Sequence, residues 1–151
     1  MSRPTSTPSA EELTAIAELR SALRRFHAAT DAITQRHGLT ARRYDLLAVL
    51  HGVPDRARTA GGVARLLQLS PNATTELVDR AVAAGLVERS DDGDDARVKR
   101  LAPTADGTRR FYAAVGELRP ERERLLAILD EISAYSERLR RSTVSPRRSR
   151  P

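Results

Sequence analysis

The sequence has no cysteine, no tryptophan, a single lysine at Lys99, and only two phenylalanines and three tyrosines. Without cysteine there is no disulfide, no thiolate nucleophile and no cysteine-held metal. With so few aromatic rings, leucine, valine, isoleucine and alanine must fill most of the core. No apolar run approaches the ~20 residues of a membrane span. Residues 1–10 are rich in serine, threonine and proline and lack the apolar stretch of a secretory signal, so the chain is expected in the cytoplasm. No serine, histidine and aspartate set can be tied to a strand–turn–helix elbow, and no glycine-rich loop is built to cradle phosphate. The sequence does not read as an enzyme.

What is abundant is arginine. Of 26 lysines and arginines only one is lysine, leaving 25 arginines against 20 acidic residues and a net charge of +6. The guanidinium fork suits phosphate and guanine, so an acidic polymer is the first partner to consider. A length of 151 residues fits one domain.

Hydrophobic spacing predicts a mainly α chain with one small β-hairpin. Residues 1–9 are expected to be a disordered tail. A long helix over 10–37 follows, opened by Ser9 and Glu12 as a capping box, with Ile16, Leu19, Leu23, Phe26, Thr30 and Ile33 at steps of three and four. Such a helix is roughly 40 Å long, more than an isolated monomer this small easily covers. Thr40 and Thr59 can cap two further helices. Ser70-Pro71 is a strong start signal for a fourth, which Gly85 ends. A short strand over 86–89, an Asp/Gly loop over 90–96 and a returning strand over 97–101 complete a hairpin. Thr104 caps a fifth helix, Pro120 ends or kinks it, and a sixth runs to 139. Residues 140–151, made of arginine, serine and proline, are expected to be a disordered basic tail.

The function-bearing arrangement is a short helix at 59–67, a turn of about three residues, a capped helix at 70–84 and a charged hairpin. In a helix-turn-helix the second helix enters the major groove, and residues near its N-terminus reach base edges. Here those are Ser70, Asn72, Thr74 and Thr75, with Asp79 and Arg80 one turn on. Arg42, Arg43, Arg65, Arg89, Lys99 and Arg100 are the nearest candidates for anchoring phosphates.

The local motifs run Leu69-Ser70, Leu77-Val78-Asp79-Arg80, Gly85-Leu86-Val87, Arg89, Asp92-Gly93-Asp94-Asp95-Ala96-Arg97 and Thr104-Ala105-Asp106-Gly107. In order and spacing this set resembles the MarR family of bacterial transcription regulators. The motif match covers residues 39–107; residues 10–37 and 108–139 match in helical layout only. The resemblance implies a winged helix-turn-helix lobe over 39–107 and dimerisation helices on either side, within one domain over 10–139. It implies a homodimer on a pseudo-palindromic double-stranded operator, acting as a repressor that answers to a small-molecule effector. It implies that Arg97 enters the minor groove with Asp95 orienting it. It also implies a ligand crevice near Phe26, His27, Tyr44 and Tyr112.

Three departures stand out. Ala96 replaces a frequent arginine in the wing, and Pro103 replaces a leucine. Gly61-Gly62 stands where a helix former is usual, at ~1 kcal/mol each relative to alanine, so the third helix is expected to fray at its start. Asp91, Asp92, Asp94 and Asp95 lack the spacing of a calcium loop, and His27, His37 and His51 are too far apart for one helical metal face. No cofactor or metal is expected. A winged-helix module that binds protein, with nonspecific nucleic-acid affinity from its arginine-rich tail, is the alternative reading.

Overall fold

The computed structural model describes residues 7–92 and 95–143, the side chains at 92–98 and 139–143 excepted. Of the proposed tails at 1–9 and 140–151, residues 1–6 and 144–151 therefore lie outside the described residues. The described chain is mainly α with one hairpin, the fold class that the spacing predicts. Its helices are α1 (Ala10–Arg36), α2 (Ala41–Gly52), α3 (Ala60–Leu67), α4 (Pro71–Ala83), α5 (Ala105–Glu117) and α6 (Arg119–Thr143). The hairpin is β1 (Val87–Asp92) with β2 (Asp95–Pro103). No helix among the described residues is long and apolar enough to cross a membrane.

The helix starts follow from hydroxyl caps, each of which satisfies a backbone N–H that the helix itself cannot. Thr40 accepts from the N–H of Arg43, Thr59 from Gly62, Ser70 from Ala73 and Thr104 from Gly107, at 3.0–3.3 Å. Ser9 accepts from the N–H of Glu12 at 3.1 Å.

The chain forms two compact units. The first is a lobe, Thr30–Leu118. Its core gathers Leu39, Leu46, Leu47 and Leu50 with Val63, Val78, Ala81, Leu86, Leu101 and Phe111. Ile33, Ala114 and Leu118 form a second small cluster. The lobe thus exceeds the 39–107 expected, because the last turns of α1 and the length of α5 bring apolar residues into it. The second unit holds the rest of α1 and α6, in which only Ala22 and Tyr135 are buried among the described residues. Ser9 Oγ and the Tyr135 hydroxyl meet there at 3.4 Å.

Three expectations need correction. The hairpin strands reach Asp92 and restart at Asp95, so most of the expected loop is paired. Ladder bonds use backbone groups, and Asp91 opposite Lys99 makes a cross-strand ion pair that favours the pairing. α6 continues to Thr143, four residues past 139. Arg140 and Arg141 are good helix formers, and cations suit a helix C-terminus. Finally, α3 is helical from Ala60. Gly62 is there for space: a Cβ would collide with the carbonyl oxygen of Ala57.

A second close approach joins α5 to the end of α4. A Cβ at Gly107 would strike the carbonyl of Leu86. The N–H of Thr104 donates to that same carbonyl at 3.0 Å, and the Thr104 hydroxyl donates to the carbonyl of Gly85 at 2.6 Å.

Candidate nucleic-acid interface

α3 and α4 are joined by Gln68, in the left-handed conformation at φ 53°, then Leu69 and the cap Ser70. Leu69 closes the turn by donating to the carbonyl of Ala64 at 2.9 Å. α4 then buries Thr74, Val78 and Ala81 and exposes Pro71, Asn72, Thr75, Glu76, Asp79 and Arg80.

That division corrects one proposed contact. Thr74 is 1% exposed, and its hydroxyl donates to the carbonyl of Ser70 at 2.9 Å. It is a core residue with its polar atom satisfied internally, and it has no surface to offer a base. Its spacing of four and seven from Val78 and Ala81 carries that signal in the sequence. Thr75 is exposed, its hydroxyl bonded to the carbonyl of Pro71 at 3.0 Å. Ser70 is exposed as well as capping the helix.

Strand alternation sorts the hairpin into two faces. Val87, Arg89 and Asp91 share the face that carries Lys99 and the buried Leu101, while Glu88, Ser90, Arg100 and Ala102 share the other. Arg89 on the first face donates to Asp79 of α4 at 2.6 Å. This pair ties the hairpin to the middle of α4. Arg80 pairs with Glu76 one turn back, and Lys99 with Asp91. Arg80, Arg89 and Lys99 therefore each carry a carboxylate partner. These pairs are exposed, worth ~0–1 kcal/mol each, so phosphate can displace the carboxylates at small cost. The side chains of Asp95 and Arg97 lie outside the described ones; their backbone belongs to β2.

A cavity of about 390 Å³ opens where α2 begins, lined by Thr40, Arg42, Arg43, Ala73, Glu76 and Arg80. Arg43 reaches across it to donate to the carbonyl of Arg80 at 3.4 Å. Arg42 and Arg65 are exposed.

The four proposed ligand residues fall in different units. Phe26 lines a groove of about 270 Å³ between α1 and α6, with Ala22, Leu125 and Ile128, and the neighbouring His27 is exposed. Tyr44 and Tyr112 belong to an aromatic cluster in the lobe. Tyr44 lies 5.1 Å from Phe111, which stacks on His51 at 5.1 Å and 5°, and Tyr112 lies 5.0 Å from His51. The Tyr112 hydroxyl faces His51 Nδ1 and the Thr108 hydroxyl faces Nε2, both at 3.4 Å. Burial, reinforced by the charge of Arg58, holds the His51 imidazole below its usual range. Phe111 and His51 were not anticipated as partners. The signal was there: His51 lies seven residues from Tyr44 on α2, and Thr108 lies four from Tyr112 on α5.

The lobe has counterparts among known proteins. Residues 37–98 match the family model described as MarR family. A solved MarR family transcription regulator is 26% identical at a TM-score of 0.65, with 87% of each chain covered. CouR from Rhodococcus jostii, solved bound to p-coumaroyl-CoA, is 25% identical at a TM-score of 0.65, covering 87% of this chain and 92% of its own. The S. aureus MepR–DNA complex is 18% identical at a TM-score of 0.68, covering 93% of this chain and 100% of its own; at that identity the likeness is one of fold. No curated protein matches in sequence. The segment 37–98, which spans the whole helix-turn-helix and most of the wing, is thus similar to the MarR family of winged-helix regulators.

Proposed function

We propose that this chain is a sequence-specific, double-stranded-DNA-binding transcription regulator that works as a homodimer and as a ligand-responsive repressor. One observation carries the reading. α4 presents a capped N-terminus and an exposed polar face, and the hairpin beside it is tied to that face through Arg89 and Asp79. Helix N-terminus, polar face and wing are what a major-groove reader with a minor-groove arm requires.

Dimerisation is supported by the apolar residues that α1 and α6 leave in water, Leu13, Ile16, Leu23, Leu126 and Leu129. An effector is supported by the half-exposed aromatic cluster around His51, and by the p-coumaroyl-CoA held by a relative of the same fold. The protein-binding alternative draws on the near-neutral charge of the α4 face, where Glu76 and Asp79 oppose Arg80 and Arg89.

Fluorescence anisotropy with duplexes from the DNA flanking the chain's own gene tests the proposal. The expected result is saturable binding to one duplex that survives excess competitor DNA, at half-maximal concentrations in the nanomolar range. Equal affinity for every duplex would overturn it and favour the protein-binding reading.

A further inference from the structure

Five polar side chains of α4 are exposed: Asn72, Thr75, Glu76, Asp79 and Arg80. Four of them are engaged within the chain. The Thr75 hydroxyl donates to the carbonyl of Pro71, Glu76 pairs with Arg80, and Asp79 accepts from Arg89. Asn72 differs, for its side chain makes no hydrogen bond among the described residues. Nor does it serve the helix. Asparagine favours a helix chiefly as its cap, and the cap here is Ser70, whose oxygen accepts from the Ala73 N–H at 3.2 Å. Inside a helix asparagine is a poorer former than alanine or glutamine. Asn72 therefore stands exposed in the first turn of α4 with an amide that the fold does not use.

The chemistry of that amide selects a base. It carries a donor and an acceptor side by side. On the major-groove edges of DNA, adenine alone sets an acceptor, N7, beside a donor, the N6 amine. Guanine shows two acceptors, cytosine a donor, and thymine an acceptor with a methyl group. The other four side chains match adenine less well. The two carboxylates only accept, the guanidinium only donates, and Thr75 has spent its donor on Pro71. Asn72 alone among the five can bond a base on both counts without first giving up an internal contact. We propose that Asn72 reads an adenine in the major groove and is a specificity-determining residue of α4. The inference rests on the chain being a DNA-binding regulator, and adds to that reading the base that the helix selects.

The test takes a duplex from the DNA flanking the chain's own gene that the full chain binds, and replaces each base pair in turn. Affinities are read by fluorescence anisotropy at fixed salt. The parent should lose roughly tenfold or more when one adenine of each half-site is replaced. Asn72→Ala should be indifferent at that position and keep its preferences elsewhere. Asn72→Asp should prefer cytosine there, since a carboxylate accepts from the cytosine N4 amine. An acid in the first turn also favours the helix, so this variant keeps its fold. Gln68, in the turn before the cap, carries the other exposed amide nearby, and glycine suits its left-handed backbone. Gln68→Gly should leave the adenine preference in place. An Asn72→Ala protein that keeps every base preference of the parent, or an adenine preference that vanishes with Gln68 instead, would overturn this inference alone. A parent that binds no duplex, or is indifferent to every replacement, would overturn the regulator reading and this inference with it.

Discussion

The lobe and the helical unit use similar apolar residues to opposite ends. In the lobe, Leu46, Leu47, Leu50 and Val63 are wholly buried, and every flanking helix opens on a hydroxyl cap. In the helical unit, Leu13 and Leu126 are 55% and 57% exposed, although they recur at the same helical spacing. Periodicity therefore marks a face that wants covering. It does not tell whether the cover lies in the same chain. The lobe is finished by one chain, and the helical unit requires a second copy under the proposed homodimer.

Four experiments press on that contrast. Leu46→Ala should cost ~2–5 kcal/mol of lobe stability by denaturant unfolding, with no dependence on protein concentration. Next, Leu126→Asp with Leu129→Asp should weaken dimerisation by ~2–3 kcal/mol while leaving the lobe folded. Sedimentation reads the mass directly, and an unchanged dimer would remove the stripe from the interface. Arg97→Ala should cost ~1–3 kcal/mol in operator affinity at fixed salt, with the thermal midpoint and dimer unchanged. Asp95→Ala should cost less, since it disturbs only orientation; an unaltered affinity in Arg97→Ala would end the wing assignment.

The smallest effect concerns His51. Because burial and then Arg58 depress its affinity for protons, the unfolded chain binds more protons than the folded one in mild acid. Stability is then undiminished above the unfolded value of ~6.5 and declines as pH falls through it, levelling off below the lowered folded value. His51→Gln should flatten that decline in circular-dichroism unfolding curves between pH 8 and 5. A decline of the same size in the variant would show that other groups cause it.

Much of this was legible beforehand because caps are local. Ser9, Thr40, Thr59, Ser70 and Thr104 each announce a helix through a hydroxyl and the N–H three residues on. The winged helix-turn-helix order followed from them. What escaped was set by contacts distant in sequence. Gly62 reads locally as a weak helix former, while its reason is the Ala57 carbonyl packed against it. Thr74 has the hydroxyl of a contact residue but the spacing of a core one, and the spacing prevails. Arg100 lies 42 residues or more from Arg58 and Arg56, and nothing local announces that it lines one cavity with them.

The junction between α4 and α5 has a mechanical consequence. Thr104 spends both its N–H and its hydroxyl on the turn at Gly85–Leu86, and Gly107 leaves no slack above it. Such a joint transmits torque where a looser one would absorb it. The first turn of α5 cannot rotate without dragging the end of α4 along or breaking all three contacts at once. The aromatic cluster at Phe111 and Tyr112 begins one turn further along the same shaft.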